Sequence, residues 1–236
     1  MDKQSLQQSM YDIHETSSAP KIALVGSVAL WVVLSWWLLL DGGLTQLGAH
    51  LGHMWLASSL LRRDCLLAAF SIYCLRLYFT TFVFLKRGVT WSGAITVSLW
   101  VLFIFVTMCI GGGIHAAPFG TAAILGILLF LFGSWINSWS EYQRHVWKRD
   151  PDNKGKLYTQ GLFRISMHPN YLGDVILFSG MSLITGAWFT AAIPVIMLAG
   201  FVFANIPMLD SHLHDHYGAA FDDYAKRTSK LIPFIY

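Results

Sequence analysis

Apolar runs of about twenty residues, separated by short polar loops, dominate the chain. They fall at 22–40, 65–85, 94–111, 121–139, 171–187 and 189–208, and each is near the length that an α-helix needs to cross about 30 Å of hydrocarbon. A glycine-rich, semi-apolar stretch follows the first run. Within it, 48–61 reads as an interfacial or re-entrant helix, so the expectation is six or seven spans. Two runs continue into polar helix: Asn137, Glu141, Arg144 and Lys148 recur at intervals of four, three and four, and Asp210, His214, Tyr217, Phe221 and Tyr224 at four, three, four and three. Such spacing places each set on one helical stripe. The predicted fold is therefore all-α, a polytopic membrane helical bundle with helical extensions on one side that form a pocket.

Between these stripes lies Gly161-Leu162-Phe163-Arg164-Ile165-Ser166-Met167-His168-Pro169-Asn170-Tyr171-Leu172-Gly173-Asp174. His168-Pro169 marks a helix start, since proline fits the first helical position. Asn170 and Asp174 then share a face, four residues apart. A carboxylate inside an apolar span costs about 2.5–3.5 kcal/mol, so Asp174 is a functional-site candidate.

Composition agrees with a membrane protein: 55% of residues are hydrophobic, only 12% are charged, and the mean hydropathy is +0.53. The net charge of +3 is small, and the basic residues sit in short loops, which gives nucleic-acid binding no support. Cys65, Cys74 and Cys109 lie in apolar stretches without paired spacing and read as reduced packing residues, with no metal site through them. Lys86, Arg87, Arg144, Lys148, Arg149, Lys154, Lys156, Arg164, Lys226, Arg227 and Lys230 fall on one side of the expected topology, which the charge rule assigns to the cytosol. Both termini then face the cytosol, residues 1–20 as a polar tail, while Arg62 and Arg63 fall on the other side.

Gly161-Leu162-Phe163, the His168-to-Asp174 segment and the ending Leu231-Ile232-Pro233-Phe234-Ile235-Tyr236, with Tyr217, Phe221 and Tyr224, resemble the C-terminal half of the steroid 5-alpha reductase superfamily, which includes the sterol reductases. Overall length and the 139–153 segment look closest to its DUF1295 membrane-protein branch, and Phe82-x4-Arg87-Gly88 is a shorter echo of the steroid reductases. The resemblance implies an NADPH pocket open to the cytosol in 121–236, with the substrate side in 22–120. Carried over by motif, Asn170 and Asp174 hold the cofactor, Asn137 and Glu141 form its helix face, and Tyr217 contacts it. His212 or His214 stands near the family's histidine, and Lys148 and Lys156 stand where steroid reductases carry Arg. Arg164, His168 and Tyr171 complete the expected cofactor set. Met167 departs from the family's basic residue before His-Pro, and its enone-polarising residues have no clear counterpart. Tyr73 or Tyr78 would supply the phenol, with Tyr78 chosen as the catalytic acid.

Three readings follow. The first is a membrane oxidoreductase that passes a hydride from NADPH to an electron-poor double bond of an apolar steroid, sterol or other lipid-like substrate entering from the bilayer. A second is an S-adenosylmethionine-dependent membrane methyltransferase of the isoprenylcysteine or phospholipid type, which is similar in the Gly…His-Pro-x-Tyr-x-Gly segment. The third is a non-catalytic membrane protein that retains the fold. NADH in place of NADPH, the substrate and the oligomeric state stay open.

Overall fold

A computed structural model describes residues 18–86, 88–116 and 118–236, so most of the expected N-terminal tail and Arg87 of the shorter echo lie outside the described residues. The elements are α1 (Ser18–Leu40), α2 (Gly43–His50), α3 (Leu60–Phe79, prolonged by a π turn at Thr80–Phe84), α4 (Trp91–Gly113), α5 (Thr121–Trp147), α6 (Pro169–Thr185), α7 (Ala192–Gly200), α8 (Ile206–Tyr217) and α9 (Ala219–Ala225). A π turn at Phe201–Asn205 joins α7 to α8. The five stretches Ser18–Leu40, Leu60–Phe84, Trp91–Gly113, Thr121–Trp147 and Trp188–Tyr217 are long and apolar enough to cross a membrane. With 17 residues, roughly 25 Å at 1.5 Å per residue, α6 covers the apolar run expected at 171–187 and is shorter than these five. Leu30, Leu128, Phe132 and Val195 are exposed on the outside of this integral membrane bundle, where hydrocarbon is the natural solvent.

The helix expected at 48–61 is displaced. Helix α2 occupies Gly43–His50 instead; Gly52 turns the chain at φ +74°, and the His53 amide bonds back to the Gly48 carbonyl at 2.8 Å. A left-handed glycine just past a helix terminates it, so 51–59 is non-helical until Ser59 caps α3. The second polar stripe is also broken. At φ 51° and ψ −127°, Gly218 divides it into α8 and α9, and His214 faces Asp222 across the break at 2.9 Å.

Packing follows membrane rules. Phe70 and Phe105 stack at 4.2 Å between α3 and α4, with Leu66, Met108, Leu177, Phe178 and Met181 buried around them. Helices α5 and α6 approach through glycines: a Cβ on Gly126 would lie 2.6 Å from the Gly180 carbonyl oxygen, and one on Gly133 would lie 2.6 Å from that of Gly173. In lipid, helices gain little from mutual hydrophobic burial, so small residues that let backbones meet set the interface. This contact brings the C-terminal half of α5 against the start of α6.

The opposite end of the bundle is tied by Arg62 and Arg63. Buried Arg62 donates to the carbonyls of Ile184 (3.1 Å), His115 (3.1 Å) and Pro118 (3.0 Å), and Arg63 donates to Leu39 at 2.7 Å. Helix ends leave carbonyls without intrahelical partners, and these guanidinia satisfy two of them, Ile184 and Leu39, along with two loop carbonyls. Their departure from the charge pattern thus has a structural reason.

Candidate functional site

Asn137 and Glu141 are buried on the long α5, facing the entry of α6. Asn137 Nδ2 donates to Asp174 Oδ1 at 2.8 Å and to the Asn170 carbonyl at 3.0 Å. A third helix joins them. On α3, Arg76 places Nη2 3.9 Å from the same Asp174 oxygen and donates from Nε to Ser138 Oγ at 3.0 Å. Arg76 Nη1 and Ser134 Oγ are buried without a hydrogen-bond partner among the described residues. Most buried polar atoms are paired, so the open Arg76 nitrogen beside this carboxylate marks unused binding capacity.

One turn further along α5, Arg144 Nη2 pairs with Glu141 Oε2 at 2.5 Å. The Tyr217 phenol and Lys148 both lie within electrostatic reach of Arg144, and Lys148 also feels Lys86. Lys148 remains exposed, yet the protein around it and then the Arg144 cation hold its ammonium below the usual lysine range. Cations crowded in this way favour a nearby anion.

His168 takes a different partner. Its Nε2 meets Asp210 Oδ1 at 2.9 Å, and Lys230 Nζ meets Asp210 Oδ2 at 3.2 Å, while Tyr171 stacks between the His168 and Phe201 rings. The segment 229–231 fastens this entry: the Met167 amide donates to Ser229 O at 2.8 Å, the His168 amide to Lys230 O at 3.1 Å, and Ser166 Oγ to Leu231 O at 2.8 Å. Leu162 N bonds Gln143 Oε1 at 3.2 Å, beside Gly161, whose φ of +58° suits glycine and where a Cβ would press on the same Gln143 amide.

The structure therefore brings together Asn137, Glu141, Asn170 and Asp174, with Lys148 and Tyr217 near through Arg144. His168 and Tyr171 sit beside them but engage Asp210 and Phe201. His214 is exposed against Asp222, and Lys156 is exposed in the loop. Arg164 opens onto a separate cleft with Thr159, Tyr224, Arg227 and Thr228. Tyr78 is 46% exposed, its ring against Phe79 and Phe82. Tyr73 instead packs on Phe105 and Phe178, within electrostatic reach of Asp174 and Arg76. Arg76 and Arg144 were not among the expected site residues. A cation within a membrane span is itself a signal that finds Arg76.

Fold and site define a class: a polytopic helical membrane protein with a three-helix polar site at one end. Within that class, the chain belongs to the family described as "Protein of unknown function (DUF1295)", whose model matches residues 93–228. It is similar to "3-oxo-5-alpha-steroid 4-dehydrogenase 2" of Macaca fascicularis, 26% identical over 180 residues (70% of this chain, 66% of that protein). It is also similar to the Sus scrofa protein of the same name, 32% identical over 112 residues (48% of this chain, 42% of that protein). A third relative is "Probable O-methyltransferase ustE" of Ustilaginoidea virens, 34% identical over 103 residues (43% of this chain, 35% of that protein). The chain spans less than two thirds of the length of each. The expected placement in the DUF1295 branch of the steroid 5-alpha reductase superfamily is borne out.

Proposed function

We propose that this protein is a membrane oxidoreductase that reduces an electron-poor C=C bond of a steroid, sterol or other lipid-like substrate, with NADPH as reductant. The observation that carries this reading is the half-buried Asp174 carboxylate shared by Asn137 and Arg76. The residues fit such a cofactor: Asn137, Asn170 and Asp174 offer donors and acceptors for a polar ring amide, the open Arg76 Nη1 adds capacity, and Arg144 and Lys148 suit phosphates. NADPH, when bound from the cytosol, supplies the reducing equivalent. The chain's own tasks are to orient, to exclude water and to deliver a proton. Tyr73, inside the bundle between Phe105 and Phe178, is a better-supported proton donor than the outward Tyr78. From there a phenol stabilises the negative charge that develops on the substrate and protonates it.

The likeness to an O-methyltransferase keeps a second reading, in which the same pocket takes S-adenosylmethionine. Titration of NADPH, NADH and S-adenosylmethionine into detergent-purified protein separates the two. Saturable NADPH binding, weakened at least about tenfold by Asn170→Ala and by Asp174→Ala, is expected. Saturable S-adenosylmethionine binding without NADPH binding overturns the reductase reading.

A further inference from the structure

A polar cleft opens at Arg164, next in sequence to Phe163. It encloses about 410 Å³ and is lined by Thr159, Arg164, Tyr224, Arg227 and Thr228. Ligand sites commonly hold about 300–1,000 Å³. Two guanidinia and two hydroxyls meet there without a carboxylate in the lining. Elsewhere in the segment the cations are already matched, Lys226 by Asp223 and Lys230 by Asp210, whereas neither Arg164 nor Arg227 forms an ion pair among the described residues. The Tyr224 hydroxyl is spent on the Phe163 carbonyl at 2.5 Å, and the Phe163 ring carries Arg144 at 6.0 Å from its centroid. Tyr224 thus lines the cleft while its partner Phe163 faces Arg144 of the other site.

We propose that the Arg164–Arg227 cleft is a binding site for a phosphate monoester, separate from the cofactor site. Paired arginines match phosphate oxygens with forked hydrogen bonds, and threonine hydroxyls complete the coordination. The monoester belongs either to a phospholipid headgroup or to a soluble phosphate. The neighbouring residues favour lipid: Phe234 is 93% and Ile235 80% exposed, a few residues beyond Arg227 and Thr228. Apolar side chains so placed can enter the acyl region while the arginines hold the headgroup. This inference holds whichever cofactor the main site takes.

The test uses the full chain in neutral detergent, titrated with phosphatidic acid, phosphatidylcholine, glycerol 3-phosphate and inorganic phosphate. Phosphatidic acid is expected to bind at least about tenfold more tightly than phosphatidylcholine, with the preference lost in the Arg164→Gln/Arg227→Gln double variant. Glycerol 3-phosphate binding with the same dependence supports the site and identifies a soluble occupant. If the double variant does not fold, Arg227→Lys is expected to weaken binding several-fold while keeping the charge. On the unmodified protein, raising the salt must weaken phosphatidic acid binding. Equal binding of both lipids, salt-independent binding, or displacement of phosphatidic acid by NADPH overturns the proposal.

Discussion

Gly173→Ala tests how closely the α5–α6 contact governs the site. A Cβ at Gly173 would sit 2.7 Å from both the Gly133 carbonyl oxygen and the Asn137 amide nitrogen. Both atoms are backbone, so the helices must part by about 0.7 Å to reach 3.4 Å, the near edge of ordinary contact. Overpacking of this kind costs about 1–3 kcal/mol, offset by about 1 kcal/mol from the better helix propensity of alanine. The net loss of stability is small, but the same movement stretches the 2.8 Å bond from Asn137 to Asp174 towards about 3.5 Å, beyond useful hydrogen-bond length. Losing a hydrogen bond to a charged group costs about 1.5–3 kcal/mol, so NADPH affinity should fall about 10- to 100-fold. Gly126→Ala introduces a matching clash 2.6 Å from the Gly180 carbonyl oxygen, near the other end of the contact. It should lower the thermal midpoint similarly and leave affinity within about threefold of the unmodified protein. Fluorescence titration and thermal unfolding of both variants in one detergent provide the comparison. If Gly126→Ala weakens NADPH as much as Gly173→Ala does, or if Gly173→Ala binds normally, the link from glycine contact to site is wrong.

Arg62→Ala strands three carbonyls at the far end of the bundle and should cost at least about 3 kcal/mol, read as a lower denaturation midpoint, whereas Arg63→Ala should cost less. Asp210→Ala removes the partner of both His168 and Lys230 and should loosen the α6 entry, seen as faster amide exchange at Met167 and His168. Tyr73→Phe should slow single-turnover substrate reduction at least about 100-fold with NADPH affinity retained, while Tyr78→Phe should change it less than about threefold; the reverse order would return the acid to Tyr78.

Helix α5 was legible because its polar residues keep a regular spacing past the end of the apolar run, and Asp174 was legible because a carboxylate in a span is costly. The second stripe obeyed the same periodicity and still broke, since spacing does not reveal that Gly218 leaves helical geometry. In sequence Arg62 and Arg63 stand only as exceptions to the charge pattern, because a sequence does not show which carbonyls a guanidinium will reach. Tyr73 and Tyr78 are five residues apart on one helix, and only packing distinguishes the one among Phe105 and Phe178 from the one facing outward.

The pairing of 166–168 with 229–231 also constrains biosynthesis. Ser166 and Leu231 are 65 positions apart, so α6 can enter the membrane and meet α5 while its entry is still unfastened. Asn137, Asn170 and Asp174 then await a strap that the ribosome delivers tens of residues later. The entry of α6 is thus fastened by one of the last segments to be synthesised.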